Sequence, residues 1–180
     1  IVVEYINGEV KIYDNKMGVM TNSPNFEWQV INLNNYINLT NIGQQPRSLA
    51  DVQLAETGVG SGMLGLPGDY TPPSRFVRAV ALTQSALPSK NREEGLQMAM
   101  RISNALSFPE GPAPVIHGET AYTGKTDWVM IVDVSERQMY FRHYDYINWR
   151  TLRLTDLIGT STTPLYFDLK KGPEMEDVSK

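Results

Sequence analysis

The sequence reads LGLPGDYTPPSRFVRA over residues 64–79, a loop dense in glycine and proline that leads directly into a helix. Each proline fixes a backbone φ angle and lacks an amide donor, and each glycine permits turns that other residues resist. Ser74 stands where an N-cap belongs, and the apolar spacing after it predicts a helix over residues 74–87. The stretch therefore predicts a rigid loop that presents the first turn of a helix.

Arg75 lies in the first turn of this predicted helix. Because the helix dipole favours negative charge there, an arginine at this position points toward an anion or a catalytic group. The alternative is an arginine that braces the loop through Asp69, and local physics alone favours this bracing role. The residues by themselves leave both interpretations open.

The composition is that of an ordinary globular protein: 180 residues, enough for one domain with an adequate core, and a net charge of −4. A protein that binds duplex nucleic acid needs a basic face, and no cluster of lysine or arginine supplies one, so nucleic acid is excluded as the main partner. No apolar run is long enough to span a bilayer, so no membrane partner is predicted. Residues 1–10 lack the basic n-region and the cleavage site of a signal peptide.

Cysteine is absent, and the chain has two histidines, His117 and His143. The absence of cysteine removes disulfides, thiolate metal sites and thiol catalysis from these residues. With so few imidazoles, a Ser/His/Asp triad or a histidine-rich metal site is poorly supported. Residues 58–68 read GVGSGMLGLPG, which has the glycine content of a phosphate loop but is not followed by GK[ST]. The sequence therefore predicts neither a metal nor a cofactor.

Residues 1–39 alternate β-rich runs with turns such as Asn7-Gly8. The predicted strands there cover residues 1–6, 10–13 and 18–21. A helix is predicted within residues 23–36, opened by Ser23-Pro24. After the glycine-rich segment come two amphipathic helices, over residues 74–87 and 91–106, each expected to cover a sheet.

The last third of the chain is β-rich and predicts antiparallel strands over residues 127–134, 138–143 and 149–154. The first of these reads DWVMIVDV, with apolar side chains on both faces, and predicts a strand buried on both sides. Strands followed by two helices and then by strands predict an α+β fold with antiparallel sheet and helices on its face.

Asn22 lies in the turn Thr21-Asn22-Ser23-Pro24, where a strand end and a proline can hold a side-chain amide in one direction. An amide N–H fixed near a tetrahedral intermediate stabilises the developing negative charge without reorganising. The alternative is an asparagine that caps its own turn, which is the commoner case for such a local signal. His143 lies on a strand and is more often a packed or edge histidine than a base.

Two motifs carry a family resemblance. Residues 17–29, MGVMTNSPNFEWQ, followed by LGLPGDYTPPSRFVRA, resemble the choloylglycine hydrolase family, which includes conjugated bile salt hydrolases and penicillin V acylases. The resemblance covers nearly the whole chain. The PPSRF motif at residues 72–76 resembles the branch of the family found in Gram-negative bacteria. It implies an N-terminal-nucleophile amidohydrolase of αββα architecture with antiparallel sheets, a small-molecule amide substrate, a homotetramer and a periplasmic or cell-envelope location, a cytoplasmic one being left open.

The resemblance also assigns site residues. Asn22 matches the family's asparagine at the amino end of the nucleophile and the oxyanion region. Arg75 matches the arginine beside the cysteine sulfur, where a cation favours thiolate, and this leaves Asp69 and Arg78 as the bracing groups. The nucleophilic N-terminal cysteine, whose α-amino group is the base, belongs to the family's N-terminal half together with an aspartate, an arginine and a second asparagine.

Residues 1–170 are therefore expected to be the C-terminal portion of a single N-terminal-nucleophile hydrolase domain, with a loose tail over residues 171–180. The N-terminal half is the expected partner, and the chain alone is expected to be inactive and to expose apolar sheet and helix surface. Conjugated bile salts, penicillin V and N-acyl homoserine lactones all remain open as substrates. The competing interpretation is a non-catalytic binding or structural domain that kept the scaffold without the nucleophile.

Overall fold

A computed structural model of the chain describes residues 1–118, 120–172 and 179. The chain divides into two units, Ile1–Pro88 and Ser89–Lys180. The tail predicted over residues 171–180 lies outside the described residues, apart from residues 171, 172 and 179. The single domain expected over residues 1–170 stays a prediction.

The first unit begins with the predicted hairpin, formed by β1 (Val2–Ile6) and β2 (Glu9–Tyr13). Its turn residues have the positive φ angles of a two-residue hairpin turn, 52° at Asn7 and 84° at Gly8. The third strand predicted there, over residues 18–21, is wrong. Its backbone is used locally instead, since Asn15 Nδ2 donates to the Val19 carbonyl at 3.1 Å.

Helix α1 (Phe26–Asn32) confirms the helix predicted within residues 23–36, although it begins later than Ser23-Pro24. Its N-cap is Asn25, whose side chain accepts from the Trp28 amide at 3.0 Å. A hairpin that the sequence did not predict follows, made of β3 (Arg47–Leu49) and β4 (Val52–Leu54). Both strands have three residues, too few to show a period-two pattern.

Helix α2 (Pro72–Ser85) begins two residues before the predicted start at Ser74. Proline is tolerated in the first helical turn because the amide that it lacks has no partner inside the helix there. The prediction of Ser74 as N-cap is therefore wrong: Thr71 holds that position, and the Ser74 hydroxyl donates to Asp69 Oδ2 at 2.5 Å.

Aromatic side chains join α1 to α2 in the core of the first unit. Phe76 is fully buried, and its ring lies edge-on to Phe26 with centroids 6.2 Å apart. Phe26 also contacts the ring of Tyr13 on β2, with ring centroids 5.5 Å apart. Such tilted pairs are favourable geometries for aromatic rings. This core fixes the start of α1, and the turn before it, relative to the start of α2.

The second unit opens with α3 (Arg92–Leu106), which confirms the helix predicted over residues 91–106. An unpredicted hairpin follows, made of β5 (Ala113–His117) and β6 (Thr120–Gly124). The three predicted strands are then confirmed as one antiparallel sheet in the order β7-β8-β9. They are β7 (Trp128–Asp133), β8 (Gln138–His143) and β9 (Tyr146–Arg153). In the described part of the chain, no helix is long and apolar enough to cross a membrane.

The two faces of this sheet differ, which corrects the prediction that the DWVMIVDV strand is buried on both sides. On one face α3 packs against β7, and Arg92 Nε binds Asp133 Oδ2 at 2.5 Å. The other face, termed the open face, carries Trp128, Met130 and Val132, which are 55%, 44% and 46% exposed. Alternation along a strand sends neighbouring side chains to opposite faces. An apolar sequence therefore gives a strand covered on one side only.

Candidate functional site

Asn22 and Arg75, which the sequence places 53 residues apart, meet in the first unit. Arg75 Nη2 donates to Asn22 Oδ1 at 2.7 Å. Because a guanidinium only donates hydrogen bonds, this contact fixes the orientation of the amide, with its oxygen toward Arg75. The structure shows no hydrogen bond from Asn22 Nδ2 to any described residue, and the side chain is exposed. The pair therefore presents an oriented amide donor at the protein surface.

Arg75 is half-buried at the start of α2 and is held at a second point, because its Nε donates to the Tyr70 carbonyl at 3.1 Å. No carboxylate of the described residues forms an ion pair with it. The bracing of the loop by an Arg75–Asp69 pair, which local physics favoured, is therefore wrong. Burial and, after it, the positive charge of Arg78 lower the pKa of Arg75 from its ordinary value. An arginine nevertheless stays protonated in proteins.

Asp69 binds the residues at the start of the helix that carries Arg75. Its carboxylate accepts hydrogen bonds from the Thr71 amide at 3.0 Å, the Thr71 hydroxyl at 2.6 Å and the Ser74 hydroxyl at 2.5 Å. These hydrogen bonds, that from Ser74 first, lower the pKa of Asp69 to about 2. A carboxylate at a helix N-terminus also interacts favourably with the helix dipole. Asp69 is thus a bracing group, as the resemblance implied.

Arg78 is the second bracing group. It is buried, and its Nη1 donates to the carbonyl oxygens of Pro67 and Asp69 at 2.7 and 3.0 Å. One guanidinium thereby satisfies two carbonyls of the loop that precedes α2 and ties this loop to the helix. The loop and the first turn of α2 form a single hydrogen-bonded support for Arg75.

We expect Asp69→Asn to lower the free energy of unfolding by about 1 kcal/mol at neutral pH, the usual net contribution of a hydrogen bond. Because the pKa of Asp69 is lower in the folded protein, its contribution is present above its unfolded pKa near 3.8 and disappears as the pH falls toward 2. Urea unfolding of both proteins between pH 2 and pH 7 tests this. A difference that stays constant over the range would contradict the assigned pKa. Asp51→Asn, at an exposed turn, is the matched control.

The two histidines belong to the second unit, whereas Asn22 and Arg75 belong to the first. His143 Nδ1 lies 3.2 Å from Asp145 Oδ2 in the second unit, which agrees with a packed or edge histidine. The side chain of His117 lies outside the described residues. Among the described residues no cluster of three or more His, Asp or Glu side chains could hold a metal ion. Asn22 and Arg75 can stabilise an anion, and the sequence contains no cysteine to attack a carbonyl.

Sequence reasoning missed Gln29 and Thr21, which lie directly behind Asn22. Gln29 is 1% exposed, and its Nε2 donates to the Ser23 carbonyl at 2.7 Å and to Thr21 Oγ1 at 3.2 Å. One signal was available. Gln29 follows Phe26 by three residues and so lies on the buried stripe of α1, where a long polar side chain needs polar partners.

Known proteins resemble this chain in sequence and in structure. The family model described as Linear amide C-N hydrolases, choloylglycine hydrolase family, matches residues 1–165. The bile salt hydrolase/transferase of Lactiplantibacillus plantarum is 36% identical over 166 residues, which are 88% of this chain and 50% of that protein. That of Clostridium perfringens is 34% identical over 142 residues, which are 78% of this chain and 42% of that protein. The chain thus spans about half the length of the curated relatives that it matches.

Solved structures give the same result. A mutant of the conjugated bile acid hydrolase from Clostridium perfringens matches with a TM-score of 0.77 at 26% identity, over 97% of this chain and 53% of that one. The penicillin V acylase from Agrobacterium tumefaciens matches with a TM-score of 0.62 at 23% identity, over 85% and 41%, a likeness of fold alone. These neighbours confirm the predicted α+β fold with antiparallel sheets.

Proposed function

Because this chain belongs to the choloylglycine hydrolase family of linear amide C–N hydrolases, we propose that it is part of an enzyme that cleaves an amide bond next to an apolar acyl group. Conjugated bile salts and penicillin V both present such a bond. The observation that carries the proposal is the contact of Asn22 with Arg75, which leaves the Asn22 amide N–H groups without a partner among the described residues.

Each residue of the pair has a distinct role in this proposal. Attack on an amide carbonyl places negative charge on the carbonyl oxygen, and a preoriented N–H donor such as Asn22 Nδ2 stabilises that charge. Arg75, a cation with few of its donors in use, favours the thiolate form of a nearby cysteine. The amine product then leaves, and water releases the acyl group from sulfur.

The nucleophile lies outside this sequence in our proposal. The sequence contains no cysteine, and it spans 50% of the Lactiplantibacillus plantarum relative and 42% of the Clostridium perfringens one. We infer that a further segment supplies an N-terminal cysteine, whose α-amino group is the general base, and that this chain alone is inactive. This chain together with that segment forms the complete enzyme of our proposal.

The open face of the β7-β8-β9 sheet supports the existence of such a partner segment. Trp128 and Met130 line an apolar groove of about 310 Å³ together with Phe141 on β8 and with Phe167 and Leu169 after β9. Contiguous exposed apolar surface of this kind marks a binding surface. In a sandwich of two sheets, the inner face of each sheet is covered by the other sheet. We therefore propose that the partner segment covers the open face.

The decisive experiment begins with native material, analysed by intact mass and N-terminal sequencing for a companion segment that begins with cysteine. The complete enzyme and this chain alone are then assayed on glycine- and taurine-conjugated bile salts, penicillin V and N-acyl homoserine lactones. We expect amine or lactone release from the complete enzyme only, and its loss after treatment with iodoacetamide. Turnover by this chain alone would contradict the external nucleophile. A complete assembly without turnover would favour the non-catalytic binding or structural domain.

The implied homotetramer and the periplasmic or envelope location belong to the same proposal. The β3–β4 hairpin exposes Leu49 and Val52, and Val59 after it is also exposed. Apolar side chains gathered on an exposed hairpin suit a contact between subunits. Sedimentation velocity on the complete enzyme measures the assembly, and cell fractionation of the source organism measures the location.

A further inference from the structure

Gln29 is a fully buried polar residue whose hydrogen bonds go to the turn that carries Asn22. Its Nε2 donates to the Ser23 carbonyl at 2.7 Å, with the Pro24 carbonyl at 3.4 Å. The Ser23 carbonyl belongs to the residue directly after Asn22. The glutamine therefore holds the backbone on the C-terminal side of the proposed oxyanion donor.

Thr21 continues this connection on the other side of Asn22. Its Oγ1 accepts from Gln29 Nε2 at 3.2 Å and donates to the Pro72 carbonyl at 3.0 Å. Pro72 is the first residue of α2, three positions before Arg75. One chain of hydrogen bonds thus runs from α1 through the Asn22 turn to the helix start that carries Arg75.

Packing alone does not account for a glutamine at this position. Its Oε1 is buried and has no hydrogen-bond partner among the described residues, and an unpaired buried amide oxygen costs stability. A methionine of similar length would fill the same volume without that cost. The feature that only the amide supplies is the pair of donated hydrogen bonds to Ser23 and Thr21.

We propose that Gln29 and Thr21 are positioning residues that hold the Asn22 amide at hydrogen-bonding distance from Arg75. This inference rests on the proposed amide hydrolysis, because that is the reaction for which the Asn22–Arg75 geometry is needed. Active-site groups need to be held to within about 0.5 Å by a supporting shell of hydrogen bonds. Neither residue touches the reacting atoms in this proposal. Both act through the position of Asn22.

The test measures kinetics of the complete enzyme and the Asn22–Arg75 geometry in crystals of the same variants. For Gln29→Met we expect kcat to fall roughly 10- to 100-fold, the effect of a misplacement of about 1 Å, with KM changed less than about twofold. The Asn22 Oδ1–Arg75 Nη2 distance should lengthen beyond hydrogen-bonding range. Gln138→Met, at a buried glutamine of the second unit, is the matched control and should keep kcat and this distance.

Thr21 supplies a second and milder set of variants, which decides the matter if Gln29→Met does not fold. Thr21→Val removes the hydroxyl and should lower kcat in the same way, whereas Thr21→Ser keeps the hydroxyl and should restore it. Because both residues act through one turn, Gln29→Met and Thr21→Val together should lower kcat little further than the stronger single variant does.

The outcomes separate this inference from the proposed function. Variants that unfold more easily but keep kcat and the 2.7 Å contact would overturn the positioning role and make Gln29 a structural residue. Multiplying effects in the double variant would also contradict a shared turn. If the unsubstituted complete enzyme cleaves no amide, the proposed function fails. The Asn22 Oδ1–Arg75 Nη2 distance in crystals of Gln29→Met and Thr21→Val still decides whether the position of the Asn22 amide depends on these residues.

Discussion

Replacing Asn22 with aspartate should lower kcat of the complete enzyme by about 10²–10³-fold, the usual cost of one lost oxyanion donor. Aspartate has the size of asparagine and can still accept the hydrogen bond from Arg75, so the contact at 2.7 Å is kept. What disappears is the N–H donor, and a negative charge takes its place beside the developing oxyanion. Because this donor acts on the transition state, KM should change much less than kcat.

The control is Asn34→Asp, at an exposed asparagine of the same unit whose side chain, among the described residues, hydrogen-bonds only the Ile31 carbonyl. It should leave kcat unchanged, which separates the loss of the Asn22 donor from the addition of a surface charge. Steady-state kinetics on a conjugated bile salt and on penicillin V give both constants. If Asn22→Asp keeps kcat within about threefold, Asn22 is the turn-capping asparagine that the local signal favours.

Asn22 and Arg75 were singled out by the resemblance of residues 17–29 and 64–79 to a known family, because the local patterns alone favoured a turn-capping asparagine and a bracing arginine. Proline and glycine limit the conformations of residues 64–79, so the identity of each residue carries information about its position. Helix α3 could also be predicted from the sequence, because Asn91 is an N-cap and the apolar residues recur with the helical period. The contact between Asn22 and Arg75 could not be predicted from the sequence, because it depends on packing between α1 and α2.

The remaining features depend on interactions that a sequence pattern does not encode. Strands β3 and β4 have three residues each, and their turn uses positive φ angles at Ala50 and Asp51, which carry no turn signal like that of Asn-Gly. The alternation in β7 shows apolar side chains on both faces but not whether a neighbouring layer is present. Whether α2 begins at Ser74 or at Pro72 is decided by Asp69, whose carboxylate binds the hydroxyl that would otherwise form the cap.

Replacing Arg75 with methionine should lower kcat/KM of the complete enzyme by about 100-fold or more and change its pH dependence. A cation next to a thiol lowers the thiol pKa by roughly 1–3 units. Without Arg75 the pKa of the nucleophile should therefore rise, and the acidic limb of the kcat/KM profile should move to higher pH. Arg75→Lys keeps the charge but lacks the fork that reaches both Tyr70 and Asn22, so it should lower kcat with a smaller shift of the limb.

Arg101→Met is the matched control, because Arg101 is an exposed arginine on α3 with no ion pair among the described residues. It should leave both kcat/KM and the pH profile unchanged. Iodoacetamide alkylation measured against pH reports the thiol pKa directly and does not depend on turnover. If Arg75→Met lowers activity while the alkylation profile stays in place, Arg75 acts through the position of Asn22 and not through its charge. An unchanged rate and profile would remove Arg75 from the site altogether.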